Sequence, residues 1–249
     1  MTAAPDATAR PLDRGPAMPP RQREHRFHVG MALAIAATAL VGFAPTYYLK
    51  PFIAAPPLSP LVHLHGVLFT LWLSLYLTQT SLIATGRTQV HRRLGVGAAV
   101  LACLLLAVGY ATAIATARRG VSPISELSPT AFLAVPLGAL VAFVVLLGLG
   151  LHYRRRAPVH KRLMLLATLA LLVPAFARIG VQVGVPGPVL PLGGSIAYIA
   201  GTWVHDWRAE GRIHPALLYG GIFLAASIPV RFLVGGTAAW QRLAAWLVR

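Results

Sequence analysis

The 249 residues are 57% hydrophobic and only 11% charged, with a mean hydropathy of +0.68, which excludes an ordinary water-soluble domain and points to repeated membrane crossings. The formal net charge of +16 would suit a nucleic-acid binder if the basic residues covered a folded surface. They stand instead in short segments between apolar runs, a pattern of membrane topology, so the lipid bilayer takes the place of nucleic acid as the expected partner.

Residues 1–27 hold five prolines and five arginines among few large apolar side chains, and are expected to form a disordered, cytoplasmic tail. Seven runs of about 20 mostly apolar residues follow, at 28–49, 61–84, 95–117, 130–151, 161–183, 187–206 and 214–233. The first lies too far from the amino terminus for an ordinary signal peptide and is read as an anchor. The sixth, "VLPLGGSIAYIAGTWVHDW", is the weakest, with paired glycines and a short clean core. In 234–249, Trp240, Leu243, Ala244 and Leu247 share a helical face, which suits an amphipathic helix lying in the membrane interface. The fold expected is therefore all-α: a polytopic transmembrane helix bundle of about seven spans over 28–233, closed by a C-terminal interfacial helix.

With the amino terminus inside, the inner segments carry fifteen Lys and Arg, and the outer segments carry six: Lys50, Arg118, Arg119, Arg231, Arg242 and Arg249. Arg178 falls within a span. The imbalance favours a cytoplasmic amino terminus, in a bacterial inner membrane.

Histidines recur where helices begin on the inner side: "HRFHVG" at 25–30, "HRRLG" at 91–95, "HKRLM" at 160–164 and "RIHPAL" at 212–217. His152 and His205 end the fourth and sixth spans at the same level. Helix amino termini and neighbouring arginines disfavour imidazolium, and the neutral ring is the metal-ligating form. The plainer account, snorkelling interfacial side chains, applies equally to each one alone. His91 and His160 stand out because each opens the same local pattern of histidine, basic residues and leucine. His214 before Pro215 reads as a helix start, and His25 and His28 as headgroup residues.

"HLHGVLFTLW" at 63–72 differs, having few basic neighbours. His63 and His65 lie two apart, about 200° around a helix, so only one can face the bundle. From His65, steps of seven, four and three reach Trp72, Tyr76 and Gln79, a polar-capable stripe expected to look inward. Gly66 lets a neighbouring helix or planar ligand come close. In the fifth span Pro174 permits a bend. Arg178, about 25 Å from His160 along the helix, nears the outer boundary, where it either snorkels or pairs with an anionic group near His65.

The set "HLHGVLFTLW…Q…GRTQVHRRLG", "APVHKRLMLLATLALLVPAFARIG" and "HDWRAEGRIHP" resembles a group of uncharacterised bacterial integral membrane proteins over nearly the whole chain after residue 28. More remotely, histidines at helix ends resemble those of b-type cytochromes, where paired histidines ligate haem, and of small membrane proteins that assist respiratory oxidase assembly. Di-haem relatives of that kind carry two histidines a dozen or more residues apart on one helix, but the residue fourteen after His65 is Gln79. The resemblance therefore implies at most one haem b, held either at an inner-leaflet site through His91 and His160 as metal ligands or at an outer cofactor-binding region with His65 and Arg178, where no second histidine is obvious on a neighbouring helix.

There is no CxxCH, and Cys103 stands alone in an apolar run. No acidic residue sits at mid-membrane, against a transporter built on buried carboxylates. Three readings follow: a haem-b electron carrier or respiratory oxidoreductase component, with a respiratory-chain protein or quinone as partner; a non-enzymatic assembly or structural partner of a respiratory complex; or a small-molecule or lipid transporter.

Overall fold

The protein is described by a computed structural model over residues 19–53, 57–124, 126–185 and 187–249. Among these residues the regular structure is helical throughout, in nine α-helices: α1 Pro20–Phe43, α2 Pro60–Ala84, α3 Thr88–Arg118, α4 Pro129–His152, α5 Ala157–Ala170, α6 Val173–Gln182, α7 Val189–Glu210, α8 Pro215–Gly235 and α9 Ala238–Leu247. Helices α1, α2, α3, α4 and α8 are each long and apolar enough to cross a membrane, and α5 with α6, bent by 42° at their break, are together long and apolar enough for a sixth. Helix α7 falls short in apolarity, as its paired glycines and short clean core foretold, yet its 22 residues cover about 33 Å.

Helix α1 begins at Pro20, so residues 20–27, read above as tail, belong to the first helix; residues 1–18 lie outside the described part. Pro20 suits that start, because the first helical N–H has no partner to lose. Ser59, Ser128 and Thr237 cap α2, α4 and α9 through side-chain oxygens that accept from Val62, Ala131 and Trp240 N–H.

Successive neighbours α1, α2, α3, α4, α8, α7 and α6 close a ring, and α5 packs inside it against α4, α8 and α7. Its sequence demands this position. "LMLLATLALLV" is apolar on every face, and all of 163–173 except Met164 is buried. A helix without a polar face has only the interior to occupy. The chain then breaks at Leu171–Leu172, ahead of Pro174, whose ring cannot continue the α5 ladder. Helix α6 consequently leaves the centre for the wall between α1 and α7. Glycines set these contacts. A Cβ at Gly42 would lie 2.6 Å from the Ala175 carbonyl oxygen, and one at Gly194 would lie 2.5 Å from the Phe176 ring.

Helix α9 does not use its whole apolar face on lipid. Ala244 is fully buried and Trp240 and Leu247 pack beside it on Ala113, Ala117 and Leu133 of α3 and α4, while Leu243 stays exposed. Trp240 Nε1 donates to the Thr130 carbonyl (2.8 Å), and Arg118 holds the last two carbonyls, of Val248 and Arg249. The bundle end that carries residue 20 is called proximal below, and the end closed by α9 distal.

Candidate functional site

Three consecutive residues at the start of α5 serve three different neighbours, because successive side chains turn about 100° around a helix. His160 faces α3 and α4, Lys161 pairs with Glu24 of α1, and Arg162 faces α7. His160 Nδ1 lies 2.7 Å from the Gly150 carbonyl oxygen. A carbonyl only accepts, so Nδ1 carries the hydrogen and Nε2 keeps its lone pair. The His91 ring stands 6.4 Å from that of His160, centroid to centroid, with the planes at 78°. His91 Nδ1 is buried without a hydrogen-bond partner.

Arg162 is one of the fifteen basic residues assigned to the inner segments, but only 2% of it is exposed. Its Nε and Nη2 donate to the two oxygens of Asp206 (2.8 and 2.9 Å), Nη2 also to Glu210 (2.5 Å), and Nη1 to the Pro158 carbonyl (2.9 Å). Asp206 further accepts the His214 backbone N–H at 3.2 Å. A fork of donors meeting a carboxylate side-on gives direction as well as charge. The pair ties the central helix to α7 and to the turn before α8. His214 caps α8 as expected, its Nδ1 accepting from Ala216 N–H at 3.1 Å. Burial, then the Arg162 charge, hold its pKa below the ordinary value, which keeps the capping lone pair free.

The proximal histidines form two groups rather than one layer. His91 meets His160, whereas the His205 ring stacks on Phe27 at 3.6 Å and 10°, with His28 close enough for their charges to interact. His28, set aside from sequence, is thus part of the second group, while His152 is exposed beside Tyr153. Among the described residues both ring nitrogens of His205 are buried without a hydrogen-bond partner, Nδ1 lying 3.9 Å from Asp206 Oδ1.

The stripe on α2 faces inward. Trp72 and Tyr76 are 2% and 7% exposed, and Trp72 meets Phe143 edge-on at 5.1 Å. Trp72 Nε1, Tyr76 Oη and Gln79 Oε1 are all buried with no hydrogen-bond partner among the described residues. Gln79 reaches toward Gly95 of α3, one turn from His91, so the stripe ends beside the histidine pair.

At the distal end, His65 rests on Phe69, with ring centroids 4.7 Å apart, and borders Gly109 of α3. Arg178 lies within charge reach of it. That guanidinium stands over the Phe43 ring at 4.4 Å and donates to the Pro174 carbonyl (3.1 Å). His63 is exposed, next to Tyr47. The Tyr47 ring covers Gly66, where a Cβ would lie 2.3 Å from it, so an aromatic side chain takes the close approach that this glycine permits. His65 and Gln79 are about 21 Å apart along α2, which makes the two regions separate sites.

Sequence reading missed the Arg162–Asp206–Glu210 group and Arg231. The signal for the first was present: two of the chain's six carboxylates stand one helical turn apart, at and just beyond the end of the sixth apolar run. Comparison with known proteins gives no match, whether to a family model, a curated protein or a solved structure.

Proposed function

We propose that the protein is a haem-b electron-transfer component of a bacterial inner membrane, proximal end to the cytoplasm, in which His91 and His160 would hold the iron. The observation that carries this reading is the spacing of the two rings. The centroids stand 6.4 Å apart, close enough that the two imidazoles could hold one iron between them.

Ligand number supports haem over a bare ion. Among the described residues no group of three or more His, Cys, Asp or Glu converges as a metal cage. Two imidazoles leave a zinc ion short of ligands but complete the coordination of an iron whose other four come from a tetrapyrrole. The Gly150 carbonyl fixes the His160 tautomer, the role an outer-shell acceptor plays for ligating histidines generally. When bound, haem b would supply a one-electron couple; the chain supplies the imidazoles and the apolar shell that sets the potential.

The test is the optical spectrum of the purified protein from haem-replete cells. A reduced-minus-oxidised band of six-coordinate haem is expected, lost in His91→Ala and His160→Ala and kept in His152→Ala. A colourless wild-type protein ends the proposal.

A second reading, passage of protons or small polar solutes along α2, rests on the unpartnered Trp72, Tyr76 and Gln79 atoms. Buried polar groups without protein partners commonly hold water. Tyr76→Phe and Gln79→Leu are then expected to lower proton flux into vesicles containing the protein, and unchanged flux would remove this reading.

A further inference from the structure

Leu217, Gly221, Leu224, Ile228, Arg231 and Gly235 form the buried face of α8, spaced in alternating steps of four and three. One of the six is charged. Arg231 is 4% exposed, although its place in the sequence read as an outer loop. Nη2 donates to Ser227 Oγ at 2.9 Å, while Nε and Nη1 are buried with no acceptor. Among the described residues no carboxylate lies within ion-pair distance of it. A guanidinium does not shed its proton to escape such a place, so the charge must be met from elsewhere.

The fold is shaped around this side chain. A Cβ at Gly138 of α4 would lie 2.6 Å from Arg231 Cγ and 3.0 Å from Cδ, so α4 leaves a notch for the stem. Pro136 and Pro229 interrupt the backbone ladders of α4 and α8 within a turn of this contact. Gly235, one turn further along α8, touches the Ala131 carbonyl near the start of α4, and Gln241 of α9 donates to the Gly235 carbonyl. Arg231 therefore sits about 6 Å below the distal rim. That rim carries Arg118, Arg119, Arg242 and Arg249, and among the described residues Glu126 is its one carboxylate.

We infer that Arg231 anchors an oxyanion site at the distal rim, its ligand a phosphate group from either an anionic phospholipid headgroup or free inorganic phosphate. The site is independent of the His91–His160 pair. Planar guanidinium is well suited to phosphate oxygens, and Nε and Nη1 remain to donate. Displaced from the apolar notch toward the rim, the anion would meet the fixed cations already there.

The test uses the full-length, delipidated protein in a neutral detergent, melted with phosphatidylglycerol, phosphatidylcholine or inorganic phosphate. A ligand at a hundred times its Kd is expected to raise the wild-type Tm by about 5–10 °C. A rise with phosphatidylglycerol alone assigns the lipid as source, and a rise with inorganic phosphate assigns the soluble anion. Arg231→Met should show neither rise, and without ligand should melt above wild type because the uncompensated charge is gone. Gly138→Ala keeps every charge and only crowds the stem, so it should raise the ligand concentration for half the shift several-fold. No rise with any ligand, an equal rise in Arg231→Met, or an unchanged midpoint in Gly138→Ala overturns the inference.

Discussion

At the proximal end Arg162 is gripped by Asp206 and Glu210 and Lys161 by Glu24, whereas at the distal end Arg178 lies on the Phe43 ring and Arg231 reaches only Ser227. Both ends are basic, so the difference lies in where the few carboxylates stand. Glu24, Asp206 and Glu210 all belong to proximal helix ends, and there they pair Lys161 and Arg162. At the distal end, among the described residues, Arg178 and Arg231 stand in the bundle without a carboxylate partner. Buried charge thus holds one end together and makes the other receptive. The two histidine regions divide along the same line, with His91 and His160 beside the self-compensated end and His65 beside Arg178.

Unpairing Arg162 should break this contrast most severely. Asp206→Asn leaves a buried guanidinium short of its main partner and is expected to cost about 3–5 kcal/mol, read as a large fall in melting temperature. Arg162→Met combined with Asp206→Leu should recover much of that loss, since an apolar replacement of both partners strands no charge. An Asp206→Asn protein that melts with wild type would show that the pair does not hold the proximal end. The contrast sharpens if Arg162→Met destabilises while Arg231→Met stabilises the ligand-free protein.

Backbone contacts rank next. At Gly42 an added Cβ meets backbone, 2.6 Å from the Ala175 oxygen and 2.8 Å from its Cα, so α1 and α6 must separate, at about 1–3 kcal/mol for Gly42→Ala. At Gly66 it meets the Tyr47 ring, a side chain able to swing away. Gly66→Ala should therefore cost less, and Tyr47→Ala in that background should relieve it. Equal losses at the two glycines would refute the distinction.

The smallest effect expected is at His214. Its folded pKa is lowered, by burial first and then by Arg162, so its cap contributes fully above the ordinary 6.5 and is lost as pH falls through the folded value. His214→Asn caps without titrating, and should remove about 1 kcal/mol of the acid-side loss of stability. Superimposable pH profiles for the two proteins would exclude the cap from that loss.

Much of the architecture was legible because lipid imposes it. A run of about 20 apolar residues has few other fates, and the paired glycines and short clean core of α7 marked it as the weak span. The α2 stripe was readable too, since steps of seven, four and three return to one face of any helix; Trp72 and Tyr76 are buried as that arithmetic requires. His91 and His160 shared a local pattern, but only the packing of α3 beside α5 brings their rings to 6.4 Å. Arg162 and Arg231 were misplaced for one reason. Near a span's end, hydropathy does not tell a side chain that snorkels out from one that turns in, because the choice depends on what the facing helix offers: Asp206 in one case, the notch at Gly138 in the other.

The sequence by itself determined the solvent, the helical content, the approximate spans and the break before Pro174, all consequences of local composition meeting an apolar phase. Tertiary structure alone decided that α5 runs through the centre, that the proximal histidines divide into two groups, and which cations find carboxylates. Those outcomes turn on distances between residues tens of positions apart, and single-chain periodicity carries no record of which faces meet.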